Sequence, residues 1–397
     1  MPPSINQFLI GTATPPIPAA RQWLNAYDGR LGPPINLAQA VPGTPPPLEL
    51  LQRLSAAALD PATTMYGPIL GEPGLISVYA RHVSKFYNAT VAPNEIAITS
   101  GCNEAFFVTT LAIAKSGDAI LLPTPCYFNH EMTLSMLGIE PVPLPARAET
   151  GFLPSVKDAE RIIQERATNN AQPLRAIVLV TPNNPTGAIY PPTLIAEFVE
   201  FAHKHDLWLI LDETYRDFLP PSQTPPHHLL SDLSARARII QLYSFSKSYA
   251  IPGHRVGALL APPALMQEIV KVLDTLQICA PRIGQIALQW AIDGLKDWRD
   301  ANARDVDERG ATFRRSMSVA PHWKITSLGA YFAFVAHPFG ALSDVEVAEA
   351  LAVQCGVLAL PGSYFTAASA DHLRFAYANV APDLIAEVGH RIARLRL

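Results

Sequence analysis

The chain has 397 residues, of which 49% are hydrophobic and 16% charged, and its net charge is −4. That length is too great for one compact core and points to a large and a small domain. The charge balance gives no reason to expect nucleic acid or an acidic membrane as a partner, no apolar window reaches the length of a membrane span, and the N-terminus lacks a basic segment followed by an apolar one.

The four cysteines (Cys102, Cys126, Cys279 and Cys355) are widely separated and have no metal-ligand spacing, so no metal site is expected. They fit a reducing, cytoplasmic setting. The 38 prolines fall between apolar runs and read as ordered turns.

In chain order, the first thirty or so residues read as an arm with a helix near Ala19 to Tyr27. A brief strand at Asn36 runs past Ala40 into a loop braked by Pro45, Pro46 and Pro47. Leu48 to Leu59 has helical spacing, and Tyr66 opens an irregular Gly/Pro loop that reaches Gly74. Ile96 to Ser100 is a short apolar β run. Gly101, Cys102 and Asn103 then open a helix from Ala105 to Lys115, whose first-turn N–H groups suit an anion such as phosphate.

A second buried strand, Ala119 to Leu122, ends at Tyr127. Arg175 to Val180 is the most β-like run, and its unbroken apolar character predicts a parallel sheet covered on both faces. It ends in Asn184-Pro185-Thr186-Gly187. A helix from Leu194 to His205 precedes the strand Leu207 to Leu211, which delivers Asp212 at its carboxyl end, with Tyr215 three residues on. A carboxylate there needs a cationic partner.

Ile239 to Leu242 reads as another buried strand, followed by Ser244, Ser246, Lys247 and Arg255 before a short apolar run at Ala258. Burial lowers a lysine pKa, and a neutral amine is what attacks a carbonyl. Helices are expected from Pro263 to Gln277 and from Ile283 to Leu295. Lys296 to Arg315 reads as a long solvated helix with opposite charges at helical spacing, and no chemistry is assigned to it. Strands near 330–335, 357–360 and 372–378, with helices at 343–354 and at the C-terminus, make a small α+β unit. Arg374 lies in the last of these strands between Leu373 and Phe375, an odd site for a cation unless an anion meets it.

Ser-x-Ser-Lys followed by Gly-x-Arg-x-Gly, with Asn-Pro-Thr-Gly earlier, resembles the class I/II aminotransferases, pyridoxal phosphate (PLP) enzymes of fold type I. The resemblance runs from Tyr66 to Arg374. It implies an α/β architecture, with a mainly parallel seven-stranded large domain flanked by helices and a small α+β domain. By the same resemblance Lys247 carries the cofactor as a Schiff base and moves the proton, and Ser244, Arg255, Gly101, Cys102 and Asn103 hold its phosphate. Tyr127 stacks on the ring, Asn184 and Tyr215 face its phenolic oxygen, and Asp212 pairs with its ring nitrogen. Arg374, with Ala40 and Asn184, meets the substrate. Tyr66 reaches the cofactor phosphate of a neighbouring subunit, which implies a homodimer.

The domains expected are an arm over 1–47 that belongs to the small domain, a large PLP-binding domain over 48–280 and a small domain over 281–397. The activity implied is transamination between an L-amino acid and a 2-oxo acid. A β-lyase or other carbanion chemistry shares these motifs, and a PLP-binding regulatory module is a remoter alternative. Arg282 is the one nearby candidate for a second carboxylate, and a helix-start arginine is more often solvated. An apolar or aromatic substrate side chain is therefore favoured over a dicarboxylate.

Overall fold

A computed structural model describes residues 3–397. Strand β1 (Ile35–Asn36) belongs to the N-terminal arm. Then come β2 (Ile96–Thr99), β3 (Ala119–Thr124), β4 (Glu140–Pro145), β5 (Leu174–Val180), β6 (Trp208–Asp212), β7 (Ile239–Ser244) and β8 (Gly257–Leu260). These last seven form one sheet in the order β2-β8-β7-β6-β5-β3-β4, parallel throughout except that β8 runs against both its neighbours. The mainly parallel seven-stranded α/β sheet expected above is therefore present.

Its central strands read as continuous apolar runs because helices cover both faces. Ile177, Leu179, Leu209 and Leu211 pack into one layer, while Ala176, Val178, Ile210 and Leu242 pack into the other.

Reading the residues alone misses β4, whose sequence is Glu-Pro-Val-Pro-Leu-Pro. Three prolines in six residues argue against a strand, since proline has no N–H to donate. Here β4 has a single neighbour, β3, and forms the sheet's outer edge, where missing donors are tolerated.

The C-terminal part is built on β9 (Lys324–Gly329), β10 (Phe332–Ala336), β11 (Val357–Leu358), β12 (Leu360–Pro361) and β13 (His372–Ala376). Strands β12, β13, β10 and β9 make an antiparallel sheet, and β11 pairs in parallel with β1, which ties the arm to this unit. Ile35 and Leu37 accordingly share a core with Val306, Phe313, Phe332, Leu351 and Phe375.

Two readings need correction here. The arm's helix is Pro16–Arg21, continued by a 3₁₀ turn over Gln22–Ala26, and does not start at Ala19. Pro16 and Pro18 fit the first turn, where a proline nitrogen lacks nothing. The charged helix Lys296–Ser316 is not solvated all round. Asn302, Val306, Arg309, Gly310, Phe313 and Ser316 form a buried stripe, and the helix packs along Pro382–Ile392. Among the described residues no helix is long and apolar enough to cross a membrane.

Candidate active site

A cavity of about 310 Å³ opens at the carboxyl ends of β5, β6 and β7 and extends to β13. Its lining includes Ala40, Cys102, Asn103, Tyr127, Asn184, Asp212, Tyr215, Ser244, Lys247, Arg255 and Arg374. The fold thus brings together residues that are more than 330 positions apart, such as Ala38 and Arg374, which share a hydrogen bond.

Asp212 ends β6 with its carboxylate buried. Thr214 donates to Oδ1 through its backbone N–H at 3.0 Å and its hydroxyl at 2.7 Å, while His130 Nε2 lies 3.3 Å from Oδ2. Burial by itself would raise the carboxyl, but the His130 and Thr214 contacts outweigh it and hold it below the usual carboxylate range. The acid therefore stays ionised and aimed into the cavity. It caps no helix: the residues that follow it form a turn.

Lys247 sits in a one-turn helix, Phe245–Ser248, entered directly from β7 and capped by Ser244, whose hydroxyl accepts from Ser246 N at 3.3 Å. Its Nζ donates to the Ala40 carbonyl, and among the described residues no carboxylate pairs with it. Burial, and then the charges of Arg255 and Arg374, bring its amine down to about 8.

Cys102, Asn103 and Arg255 stand in the same lining. Helix Cys102–Ile113 starts behind Gly101, which has φ +90°, and a Cβ there would collide with the Arg255 guanidinium. Glycine is therefore required by conformation, and any larger residue would also displace the Arg255 guanidinium. Arg255 is held by the carbonyls of Pro252 (3.1 Å) and Ser100 (3.2 Å) and by no carboxylate. The Cys102 thiol is 3.8 Å from Asp212 Oδ1, and burial together with that charge pushes it well above the ordinary thiol range.

Arg374 on β13 is 1% exposed. Its Nη1 donates to Asn184 Oδ1 at 3.0 Å and its Nη2 to the Ala38 carbonyl, its Nε has no partner, and its charge lies 5.0–5.1 Å from the ring centres of Phe332 and Phe365. Burial brings it down to about 10, the nearby Tyr215 and Tyr127 hydroxyls opposing that shift. A buried guanidinium with no chain carboxylate is prepared to receive an anion.

Tyr215 packs against Tyr331 and Phe332, and Tyr127 against Phe128 and His130. Tyr66 behaves differently: it is 77% exposed and does not line the cavity of its own chain. Arg282, weighed as a partner for a second carboxylate, is partly exposed and already engaged. It pairs with Glu72 and donates to the carbonyls of Ala62 and Met65.

Reading the residues alone missed His130 and Thr214, which fix Asp212, and Ile17, which joins Gln39, Val41 and Phe128 in the cavity lining. Thr214, two residues after the carboxylate, carried the local signal of an Asx turn. His130 carried none, since it comes from a different segment, helix Phe128–Met136.

The protein-family model for aminotransferase class I and II matches residues 28–392. The chain is similar to the putative aminotransferase YugH of Bacillus subtilis, at 28% identity over 340 residues, or 83% of each chain. It is 30% identical over 284 residues to a valine–pyruvate aminotransferase of Mycobacterium tuberculosis, covering 71% of this chain and 70% of the relative. The solved structure of an aromatic aminotransferase from Pyrococcus horikoshii matches with a TM-score of 0.83 at 25% identity, over 94% of this chain and 98% of that one.

Proposed function

The chain belongs to the aminotransferase class I and II family and is a PLP-dependent transaminase, and we propose that Lys247, Asp212 and Arg374 divide the work of its reaction. The observation that carries this reading is the charge layout of the cavity. Two cations, the half-buried Lys247 and the buried Arg374, have only carbonyl or amide oxygens as partners, while an ionised Asp212 lies in the same lining.

The residues present fit the cofactor on three counts. The Gly101 turn, the start of helix Cys102–Ile113, Ser244 and Arg255 suit a phosphate. Asp212 suits a protonated ring nitrogen, and Tyr127 offers an aromatic face. PLP, when bound, supplies a ring that draws off the electron pair left as the substrate Cα proton departs.

The chain's groups do the rest. The Lys247 amine, with its proton held loosely, takes the Cα proton and gives it back, acting as base and then as acid. Arg374 grips the α-carboxylate with its planar fork and Asn184 braces that fork, so the Cα–H bond is presented in one orientation. Asp212 stays negative where positive charge must be held. Tyr215 and Asn184 offer hydrogen bonds to the phenolic oxygen, and the cavity-lining Ala40 borders the substrate.

The substrate we propose carries an apolar or aromatic side chain. Beyond the three cations assigned above, the lining offers Ile17, Val41, Tyr127 and Phe128 and no further basic group. The name of the M. tuberculosis relative, which pairs valine with pyruvate, agrees with an apolar donor.

The working unit we propose is a homodimer in the cytoplasm. Leu48, Leu59, Met65, Tyr66 and Ile278 are between 41% and 80% exposed and belong to the helix Leu48–Leu59, the loop after it and the turn before Arg282. The hydrogen bonds of Arg282 join these elements into one face. Covering that face with a second copy would carry Tyr66 towards the partner's phosphate cradle. The four cysteines are free, in keeping with a reducing compartment.

The domain division we favour keeps the arm (1–47) with the C-terminal unit. Helix Arg282–Gly294 goes with the large domain (48–280), because Ala287, Leu288, Ala291 and Ile292 pack into that core.

The test is to reduce the cofactor-loaded protein with borohydride, map the labelled peptide, and screen amino acids by the spectral change of the bound cofactor. A label on Lys247 and turnover of valine, leucine or phenylalanine ahead of aspartate are expected. A label on another lysine ends the assignment, and a preference for aspartate ends the substrate reading alone.

A further inference from the structure

Behind the cavity, on the opposite side of the chain segments that line it, lies a second polar cluster. Residues 212–217 alternate between the two sides: Asp212, Thr214 and Tyr215 line the cavity, while Glu213, Arg216 and Asp217 point away from it. Glu213 accepts from Gln241 (2.8 Å) and Tyr87, contacts His227 Nε2 (2.8 Å) and meets Arg216 at 3.5 Å. Asp217 Oδ2 accepts from the Tyr243 hydroxyl at 2.6 Å and from the Ser248 hydroxyl.

The last of these bonds reaches the lysine. Ser248 is the residue after Lys247 in the four-residue turn Phe245–Ser248. One helical turn does not hold itself together in isolation, so its geometry comes from what it is tied to. Ser246 and Lys247 face the cavity. Phe245 and Ser248 face away. Phe245 is fully buried against Tyr79, Tyr243 and Tyr249, and Ser248 is 1% exposed.

Ser244 caps the start of the turn, and the end is followed by Ala250 at φ +54°, a conformation that does not continue a helix. Two side-chain bonds hold this end: Arg299 Nη1 donates to the hydroxyl of the capping Tyr249 at 2.9 Å, and Ser248, within the turn itself and next to Lys247, donates to Asp217. Tyr243 and Ser248 lie 3.1 Å apart, but each hydroxyl has one proton and both protons go to the carboxylate. The carboxylate in turn faces the guanidiniums of Arg216 and Arg299, which outweigh the cost of burial and hold it below the usual carboxylate range.

We propose that Asp217 is a positioning residue: through Ser248 it fixes the turn that carries Lys247 and so aims the amine within the cavity. The same short segment then supplies both Asp212 and, from behind, the anchor for Lys247. The spacing between the two sides of the site is set by one stretch of backbone.

The proposal rests on the reading of Lys247 as the cofactor-bearing residue, so borohydride labelling of the wild-type protein comes first, and a label elsewhere overturns both. With Lys247 labelled, cofactor-free Ser248→Ala, Asp217→Ala, the double variant and Tyr243→Phe are each mixed with pyridoxal phosphate. Growth of visible absorbance gives the rate of capture, and melting temperature and steady-state kinetics are measured alongside.

Ser248→Ala should slow capture and lower kcat by roughly tenfold each, with KM little changed, since a small misplacement of a reacting group is costly. Asp217→Ala should slow capture by as much, and the double variant no more than either, because the Ser248–Asp217 bond is absent from all three. Tyr243→Phe removes a hydrogen bond to the same carboxylate and should lower the melting temperature without slowing capture. Ser248→Ala capturing at the wild-type rate, or slowing no more than Tyr243→Phe, overturns the proposal. So does an additive double variant. If Asp217→Ala does not fold, the contrast between Ser248→Ala and Tyr243→Phe still decides.

Discussion

Arg216 and Arg374 are both almost completely shielded from water, on opposite sides of the segments that line the cavity, and the chain treats them in opposite ways. Arg216 is surrounded by its own answers. Glu213 lies at 3.5 Å, the Tyr87 hydroxyl at 3.5 Å and the Tyr79 hydroxyl at 3.3 Å, and the Tyr243 ring is 4.0 Å from its charge. Burial opposes its charge, yet Tyr79, Tyr87 and Tyr243 together with Asp217 push it above the ordinary arginine value.

Arg374 has an amide oxygen, a backbone carbonyl and two ring faces but no carboxylate, and burial brings it down to about 10. The sequence around them already differs: Arg216 stands among Asp212, Glu213 and Asp217, whereas Arg374 stands between Leu373 and Phe375. The difference lies in who supplies the anion. Where the chain does, the arginine is structural; where it does not, a ligand must.

The sharpest way to break that contrast starts on the ligand side. Lys247→Ala should lower kcat by about ten-thousandfold in a coupled transamination assay, because the same amine serves as base and acid. Turnover within tenfold of wild type would mean that another group moves the proton. Asp212→Ala should cost roughly a hundredfold to a thousandfold in kcat, with KM changed far less, since the carboxylate matters most when charge flows towards it. The assignment fails if affinity falls while kcat is preserved.

On the structural side, Arg216→Met should cost about 3–5 kcal/mol in urea unfolding, as expected when one member of a buried pair is removed. The folded fraction should still bind the cofactor. A variant as stable as wild type but inactive would reverse the two roles. Arg374→Lys should leave stability nearly unchanged and lower kcat/KM by roughly tenfold, to a similar degree for every amino acid tried, because the α-carboxylate is common to all. Sharp discrimination among side chains would assign Arg374 another task.

The smallest effect is a titration. In the cofactor-free protein, Lys247 should become reactive towards an amine-directed acylating reagent as pH rises through about 8, where the amine loses its proton. Arg374 and Arg255 both help to hold that midpoint below the ordinary lysine value. Arg374→Gln should therefore move it upward, while Arg374→Lys, which keeps the charge, should not. A midpoint unmoved by Arg374→Gln would separate the two cations that the cavity brings together.

Much of this protein was legible before any coordinates. Buried parallel strands announce themselves as unbroken apolar runs, and polar residues at their carboxyl ends stand out against that background, as Asp212 and Ser244 do. The glycine at 101 was readable because a sharp turn from strand to helix calls for one, and the lysine at 247 because a cation just past a buried strand is out of place there. Strand β4 was not, since its prolines forbid a central strand and only its place at the sheet edge permits them.

What tertiary structure alone decided is pairing across distance. His130 and Asp212 are far apart in sequence and 3.3 Å apart in space, and Ala38 and Ala40 present carbonyls to Arg374 and Lys247 from the arm. Arg282 was read as solvated or facing substrate and proved to be spent on Glu72. Sequence records which groups a chain owns and how its backbone can turn. Arg216 is answered partly by its own neighbours Glu213 and Asp217, but whether a charge such as Arg374 or Asp212 meets a partner depends on which distant segment packs beside it, and no local pattern encodes that.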